Sequence, residues 1–416
     1  MKLTPIGYLP EDWDYCQLRD NLDLLTDYDA NGSFADMANN VHTEIGSGYA
    51  WYVRATDLEQ KTPLSEVRYT DKSSYEFLKK SSLFGGEVLV AKRGEIGKVY
   101  YFEKPQNLRA TLAPNLYLLK LKKTIHSHWL YYFFVSPRGQ ELLKSINAST
   151  SLGAIYKEDV KNLHIPLPNL DEQKRIAEAL TAVDNMIATL DEAIAKKRQI
   201  KEGLMQQLLT GKTRLPGFTG EWKETRLGDI FDFYKGTGLS KADIDSTGNN
   251  QCILYGEIFT KYNIAVKGEI SRTASCVGTP SVKGDILMPG STTTVGIDLV
   301  KAVFVDTDSI LLGGDIIILR KKEQVDSAFF AMLISNISRN VVTEKAQGTT
   351  IIHLHGKDLT DIRYLVPESE QEQKGISTVV SKVDADIEEL NYKKNKLILL
   401  KQGMMQELLT GKTRLI

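Results

Sequence analysis

Apolar residues recur in alternating steps of four and three between Glu172 and Leu209: Ile176, Leu180, Val183, Ile187, Leu190 and Ile194. That spacing puts them on one side of a helix, as the a/d seam of a coiled coil. The segment has no proline and one glycine, so the pattern predicts a continuous rod of about 38 residues, roughly 57 Å at 1.5 Å per residue. The phase returns further along as Ile376, Val380, Val383, Ile387 and Leu390, extended by Leu397, Met404 and Leu408. Acids lie early and bases late in both rods (Lys196, Lys197 and Arg198; Lys393, Lys394 and Lys396), which suits the helix dipole.

Outside the rods the pattern changes. Short apolar runs bounded by glycine and polar clusters, at Val88–Ala91, Leu116–Leu121, Ile286–Met288 and Asp315–Arg320, predict strands. Helices are expected at Ser127–Ile146 and Ser327–Lys345, and the aromatics of the first (Trp129, Tyr131, Tyr132, Phe133, Phe134) read as core.

The chain is one plan written twice. Gly203–Leu215 and Gly403–Leu415 share eleven of thirteen residues, and Glu172-Gln173-Lys174 returns as Glu372-Gln373-Lys374. Fainter matches continue outside the rods: Gly86–Leu89 with Gly284–Leu287, and Leu9, Pro10 and Trp13 with Leu215, Pro216 and Trp222. The expected fold is α+β, with two β-rich globular domains separated by two long antiparallel coiled-coil helices in a pseudo-twofold repeat. The expected divisions are a domain at 1–169, a helix at 170–212, a domain at 213–369 and a helix at 370–416. The rods either stabilise the molecule as a hairpin or act as a ruler between the domains. Apolar residues off the seam (Leu204, Met205, Leu209, Met405, Leu409) are candidates for seating partner helices.

Composition narrows the picture by exclusion. Of 416 residues, 52 are Lys or Arg and 53 are Asp or Glu, so a DNA-binding role requires bases gathered on one face or charge borrowed from a partner. Three cysteines, Cys16, Cys252 and Cys276, form neither a disulfide scaffold nor a metal-ligand spacing. With no signal sequence and no membrane-spanning run, a cytoplasmic location is expected.

Candidate DNA contacts are loops that combine glycine, hydroxyls and bases, the groups that pair with phosphates and base edges. In the first domain they are Arg54, Lys92, Arg93, Lys98, Arg109 and the Asn147–Tyr156 loop with Thr150, Ser151 and Tyr156. In the second they are Lys235, the hydroxyl run Thr292, Thr293 and Thr294, and the Gln347–His355 loop with Gln347, Thr349, Thr350, His353 and His355. Gly211-Lys212-Thr213 and Gly411-Lys412-Thr413 imitate a P-loop, but Gln206 and Gln406 stand where its first glycine belongs, so they read as helix C-caps. The His-x-His pairs lack further ligands at useful spacing, and no nucleophile is paired with a base. A non-catalytic binding protein is favoured; a coiled-coil scaffold binding protein or glycan, and a self-contained DNA methyltransferase, are the rivals.

The residues together resemble a known family. PLPNLDEQKRIAEAL, the repeated LLTGKTRL, GYLPEDW near the start, LPGFTGEWKETRLGDI after the first rod and QGTTIIHLHGKDL late in the second domain are similar to the specificity subunits of type I restriction–modification systems. The resemblance covers essentially the whole chain. It implies two target-recognition domains, each reading half of a split site in double-stranded DNA. It also implies that the helices set the gap and bind two methyltransferase subunits, which restriction subunits join. This chain would then bind no cofactor, with S-adenosylmethionine, ATP and Mg on the partner subunits.

Overall fold

Both rods form. In the computed structural model, which describes residues 1–94, 96–147, 153–292, 299–337 and 352–416, the long helices span Leu170–Leu208 and Glu370–Leu408. Asn169 caps the first, its Oδ1 accepting the Glu172 N–H at 2.9 Å, and Ser369 Oγ accepts the Glu372 N–H at 3.4 Å. Both stop at a left-handed glycine, Gly211 (φ +70°) and Gly411 (φ +72°), after which Thr213 and Thr413 donate back to the carbonyls of Gln207 and Glu407. The P-loop look-alikes are therefore helix stops.

The chain divides into two compact units, residues 1–191 with 393–416, and residues 192–392. Each unit holds one globular domain and half of each long helix, so the compact units do not follow the sequence divisions at the helix ends.

In the first unit, a four-stranded antiparallel sheet runs Val99–Phe102, Glu87–Ala91, Leu116–Leu121, Leu22–Asp27. A five-stranded sheet runs Thr43–Ile45, Arg68–Thr70, Ala50–Val53, Arg109–Leu112, Ser82–Leu83, with Ala50–Val53 parallel to Arg109–Leu112. The alternation of side chains builds two cores at once. Val88, Val90, Tyr117 and Leu119 face Trp129, Phe133 and the long helices, while Leu89, Ala91, Leu116 and Leu118 face Trp51, Val53 and Leu112.

The second unit repeats this. Its antiparallel sheet runs Phe231–Lys235, Ile316–Lys321, Ile286–Pro289, Val303–Phe304, and a second sheet pairs Asn250–Ile253 in parallel with Leu311–Leu312. Ile286, Met288, Ile317 and Leu319 join Phe329 and Phe330 in one core, and Leu287, Ile316 and Ile318 join Ile253 and Ile258 in another.

The helix expected over Ser127–Ile146 is two helices, Ser127–Val135 and Pro137–Ser145. Pro137 cannot continue the first, and Ser136 caps the second by accepting the Gly139 N–H at 3.2 Å. Trp129, Tyr132, Phe133 and Phe134 are core, as expected. In the second unit the helix runs Ser327–Ile337, and the remainder of the expected span to Lys345 lies outside the described residues.

Within each unit the two helices pair antiparallel. In the first, Asp184 meets Lys401 at 2.6 Å and, seven residues on, Asp191 meets Lys394 at 2.5 Å. In the second, Lys201 meets Asp384 at 2.6 Å and Lys197 meets Asp386 at 2.5 Å. The repeated Gln explains its own recurrence. Gln173 donates to the Pro168 carbonyl and accepts the His126 N–H, both at 2.8 Å. Gln373 does the same with Pro367 and Asp326 at 2.8 and 2.9 Å. Each glutamine thus ties the start of a long helix to the start of its domain's aromatic helix. Among the described residues, no helix is long and apolar enough to cross a membrane.

Candidate nucleic-acid interface

In the first unit the candidate loops are zipped together by backbone bonds. Arg93 bridges Ala154, Gly94 N–H donates to the Gly153 carbonyl at 3.0 Å, and Ile155 N–H donates to the Lys92 carbonyl at 3.1 Å. A third loop joins where Lys92 N–H donates to the Asn115 carbonyl at 2.9 Å. Arg93 and Tyr156 are exposed on this junction.

Lys92 is not available to DNA. It is 7% exposed, and its ammonium donates to Asp27 at 3.0 Å and Asp29 at 2.5 Å, while Lys157 donates to the other Asp27 oxygen at 2.7 Å. Burial works against the Asp27 charge, yet the bonds from Lys157 and Lys92 hold its carboxyl below the usual range. Tyr117 donates to the Ile155 carbonyl at 3.0 Å; burial, with Asp27 and Asp29 nearby, pushes its phenol up to about 12. The cluster is a foundation for the loops.

The other bases of this unit are dispersed. Arg54 grips Asp57 at 2.5 and 2.9 Å, and Lys98 pairs with Glu59. Arg109 lies over the Tyr49 ring, 4.6 Å from its centroid, at the far end from Arg54 of the parallel strand pair. Thr150 and Ser151 lie outside the described residues.

The second unit uses the same backbone arrangement. Ser291 pairs antiparallel with His353, Leu354 N–H donates to the Gly290 carbonyl at 2.9 Å, and Gly290 N–H donates to the Asp315 carbonyl at 2.6 Å. His353 and His355 are exposed with parallel rings, 6.5 Å between centroids. With Tyr234, Lys235, Asp315 and Lys357 they line a cleft of about 680 Å³. Lys235 Nζ lies 3.6 Å from Asp315 Oδ1, and Ser291 donates to Asp315 Oδ2 at 3.3 Å. Thr292 is 7% exposed, so it stands behind this surface rather than on it. Thr293, Thr294, Gln347, Thr349 and Thr350 lie outside the described residues.

The strand registers define equivalent positions in the two units. Asp27 faces Tyr117 where Lys235 faces Ile317, and Arg93 faces Ala154 where Ser291 faces His353. Asn115 and Asp315 each precede the central strand of their unit. One backbone thus carries two unlike sets of side chains, with charge reversed at the first position. The sequence reading missed Asn115, Asp315, Tyr234 and Lys357. The first two could have been found as left-handed formers recurring at the repeat offset.

The apolar residues assigned to partner helices are in the wrong place for that role. Met205 and Leu209 are buried in the second unit's core with Leu204 packed against it, and Met405 and Leu409 are buried in the first. Each domain covers them itself. Exposed apolar surface lies elsewhere on the helices of the first unit, at Met186 (55% exposed) and Leu400 (52%), in an open groove with Leu190 and Leu397.

Two copies of one loop platform, each carrying different polar groups, make this a two-module protein. Residues 10–202 and 219–399 match the type I restriction modification DNA specificity domain; the chain belongs to this family of specificity subunits and carries two DNA-recognition domains. It is 27% identical, over 99% of its length and 96% of the relative, to a Methanocaldococcus jannaschii chain assigned as the MjaX specificity subunit of a type I restriction enzyme. It is 26% identical, over 68% of its length and 70% of the relative, to the MjaVIII specificity subunit of the same organism. Its fold is similar to the crystal structure of the type I S subunit from M. genitalium, with a TM-score of 0.61, 18% identity and coverage of 97% and 98%. A chain solved in work on complex assembly and conformational transition of the type I restriction–modification system aligns with a TM-score of 0.56, 16% identity and coverage of 98% and 100%.

Proposed function

We propose that each domain reads one half of a bipartite target in double-stranded DNA, and that this chain performs no chemistry itself. The observation that carries this is the equivalence of backbones with unequal side chains: Asp27 against Lys235, Arg93 against Ser291, Ala154 against His353. A shared platform fixes how each domain meets the duplex, and the different donors and acceptors give each a different preferred sequence.

In this reading the paired helices hold the gap between half-sites and receive two methyltransferase subunits, which restriction subunits join, in the cytoplasm. The groove at Met186 and Leu400 is our choice for a partner's apolar helix face. S-adenosylmethionine, ATP and Mg belong to those partners. Replacing residues 14–165 with another domain of the family, followed by mapping of methylated sites, tests the reading. One half-site should change and the other stay; two changed or two unchanged half-sites overturn it.

A further inference from the structure

Asn115 (φ +73°) and Asp315 (φ +59°) each stand one residue before the central strand of their unit. The carbonyl of each is fastened by the neighbouring loop, through the N–H of Lys92 or Gly290. The strands that follow are buried on both faces, so this position is mounted on the most rigid element of each domain.

A left-handed backbone explains why Asn or Asp occupies the position, since both tolerate that conformation. It does not explain why one copy has the amide and the other the acid. To a base edge they are opposite instruments: a carboxamide donates and accepts, a carboxylate only accepts. Asp315 is half-buried between two clefts, of about 680 and 870 Å³, which bring Lys235, Lys241 and Lys357 around it against one further acid, Glu257. A carboxylate there weakens the attraction of this face for phosphates, which a residue serving affinity alone would not do. What a carboxylate does well in the major groove is accept the exocyclic N–H of cytosine, while asparagine pairs with both hydrogen-bonding groups of adenine.

We propose that Asn115 and Asp315 are specificity-determining residues at one equivalent position of the two readers, Asp315 taking a cytosine amino group and Asn115 an adenine edge. The assignment rests on the half-site reading above. The Lys235 and Ser291 contacts hold the Asp315 carboxylate in place for this role.

The test is methylation-site mapping, with the full chain assembled with its methyltransferase partner, for wild type, Asp315→Asn and Asn115→Asp. Each variant should alter preference at one base pair of one half-site, by a factor on the order of tenfold, and leave the other half-site untouched. Lys357→Ala, at an exposed base of the same cleft, should lower methylation uniformly without changing the motif, which marks the behaviour of a phosphate contact. An unchanged motif in both variants, whether methylation is intact or uniformly reduced, overturns the assignment and leaves Asp315 as a support for Lys235. Asp315→Gly, which also accepts a positive φ, repeats the test should Asp315→Asn destabilise the chain. A wild-type complex that methylates no bipartite sequence overturns the half-site reading and this assignment with it.

Discussion

Arg414 lies over Trp13, its guanidinium carbon 5.6 Å from the ring centroid, and it grips both oxygens of Glu172 at 2.7 and 2.8 Å. The Trp13 indole donates to the same carboxylate at 2.9 Å. Arg214, Trp222 and Glu372 repeat the arrangement in the second unit. The recurring Trp, Glu and TRL segments are thus three parts of one knot that joins a domain's entrance, a helix's first turn and a helix's stop.

Glu172 is 1% exposed, so loss of Arg414 strands a buried charge. We expect Arg414→Ala to destabilise the first unit by about 3 kcal/mol. Arg414→Lys should recover little, because an ammonium cannot fork onto both oxygens. Urea unfolding followed by tryptophan fluorescence, three of the four tryptophans lying in the first unit, measures this; equal midpoints for wild type and Arg414→Ala refute it.

The same carboxylate, with Asp27, sets an acid limit. Burial disfavours the charge of Glu172, but the bonds from Arg414 and Trp13 win and hold it below its ordinary 4.5. A carboxyl depressed by folding contributes stability above its unfolded value and loses it as pH falls through the folded one. We therefore expect the melting temperature of the first unit to be flat above about pH 5 and to drop below the ordinary carboxylate range. Glu172→Gln should flatten part of that drop, and an identical pH profile in the variant argues against it.

Two helix glycines should respond in opposite directions. A Cβ on Gly411 falls 2.4 Å from Pro10 Cγ at a φ of +72°, whereas one on Gly203 meets nothing within 4 Å. Gly411→Ala is expected to cost at least about 1 kcal/mol, and Gly203→Ala to stabilise by roughly 0.5–1 kcal/mol. Thermal melts of both variants check the signs.

How much could be read beforehand divides by the range of the interactions. The seam at Ile176 and Leu180, the glycine stops and the strand at Leu116–Leu121 were legible because period and turn chemistry are local. Lys92 looked like a loop cation because the acid that buries it, Asp27, lies 65 positions away. Met205 and Leu209 looked like spare apolar surface because the residues covering them belong to a domain that follows in sequence. Asn115 carried no signal of its own and Asp315 read as the first residue of a strand, and their place beside the loops emerges only from sheet register.

At the position equivalent to Met186 the second unit has an acid in place of the apolar side chain. The equivalent Asp386 pairs with Lys197 at 2.5 Å. We expect Met186→Glu to weaken methyltransferase binding about tenfold or more by losing buried apolar area, with the fold intact. Calorimetric titration of the partner onto wild type and variant decides; unchanged affinity moves the docking site elsewhere.

Seven residues added to the first helix between Asp184 and Asp191, with seven added to the second between Lys394 and Lys401, keep the seam in phase. The gap between half-sites should then widen by about three base pairs, 10.5 Å at 3.4 Å each. A methylation map with the original gap refutes the ruler role.

The division into residues 1–191 with 393–416 and residues 192–392 sets an order of events during synthesis. The second unit is continuous in the chain, so the ribosome releases everything it needs in one stretch. The first emerges earlier but lacks Met405, Leu408, Leu409 and Arg414 until the end. The domain made first is therefore the one completed last, and a polypeptide abandoned before residue 393 exposes an unfinished core to the cell's proteases.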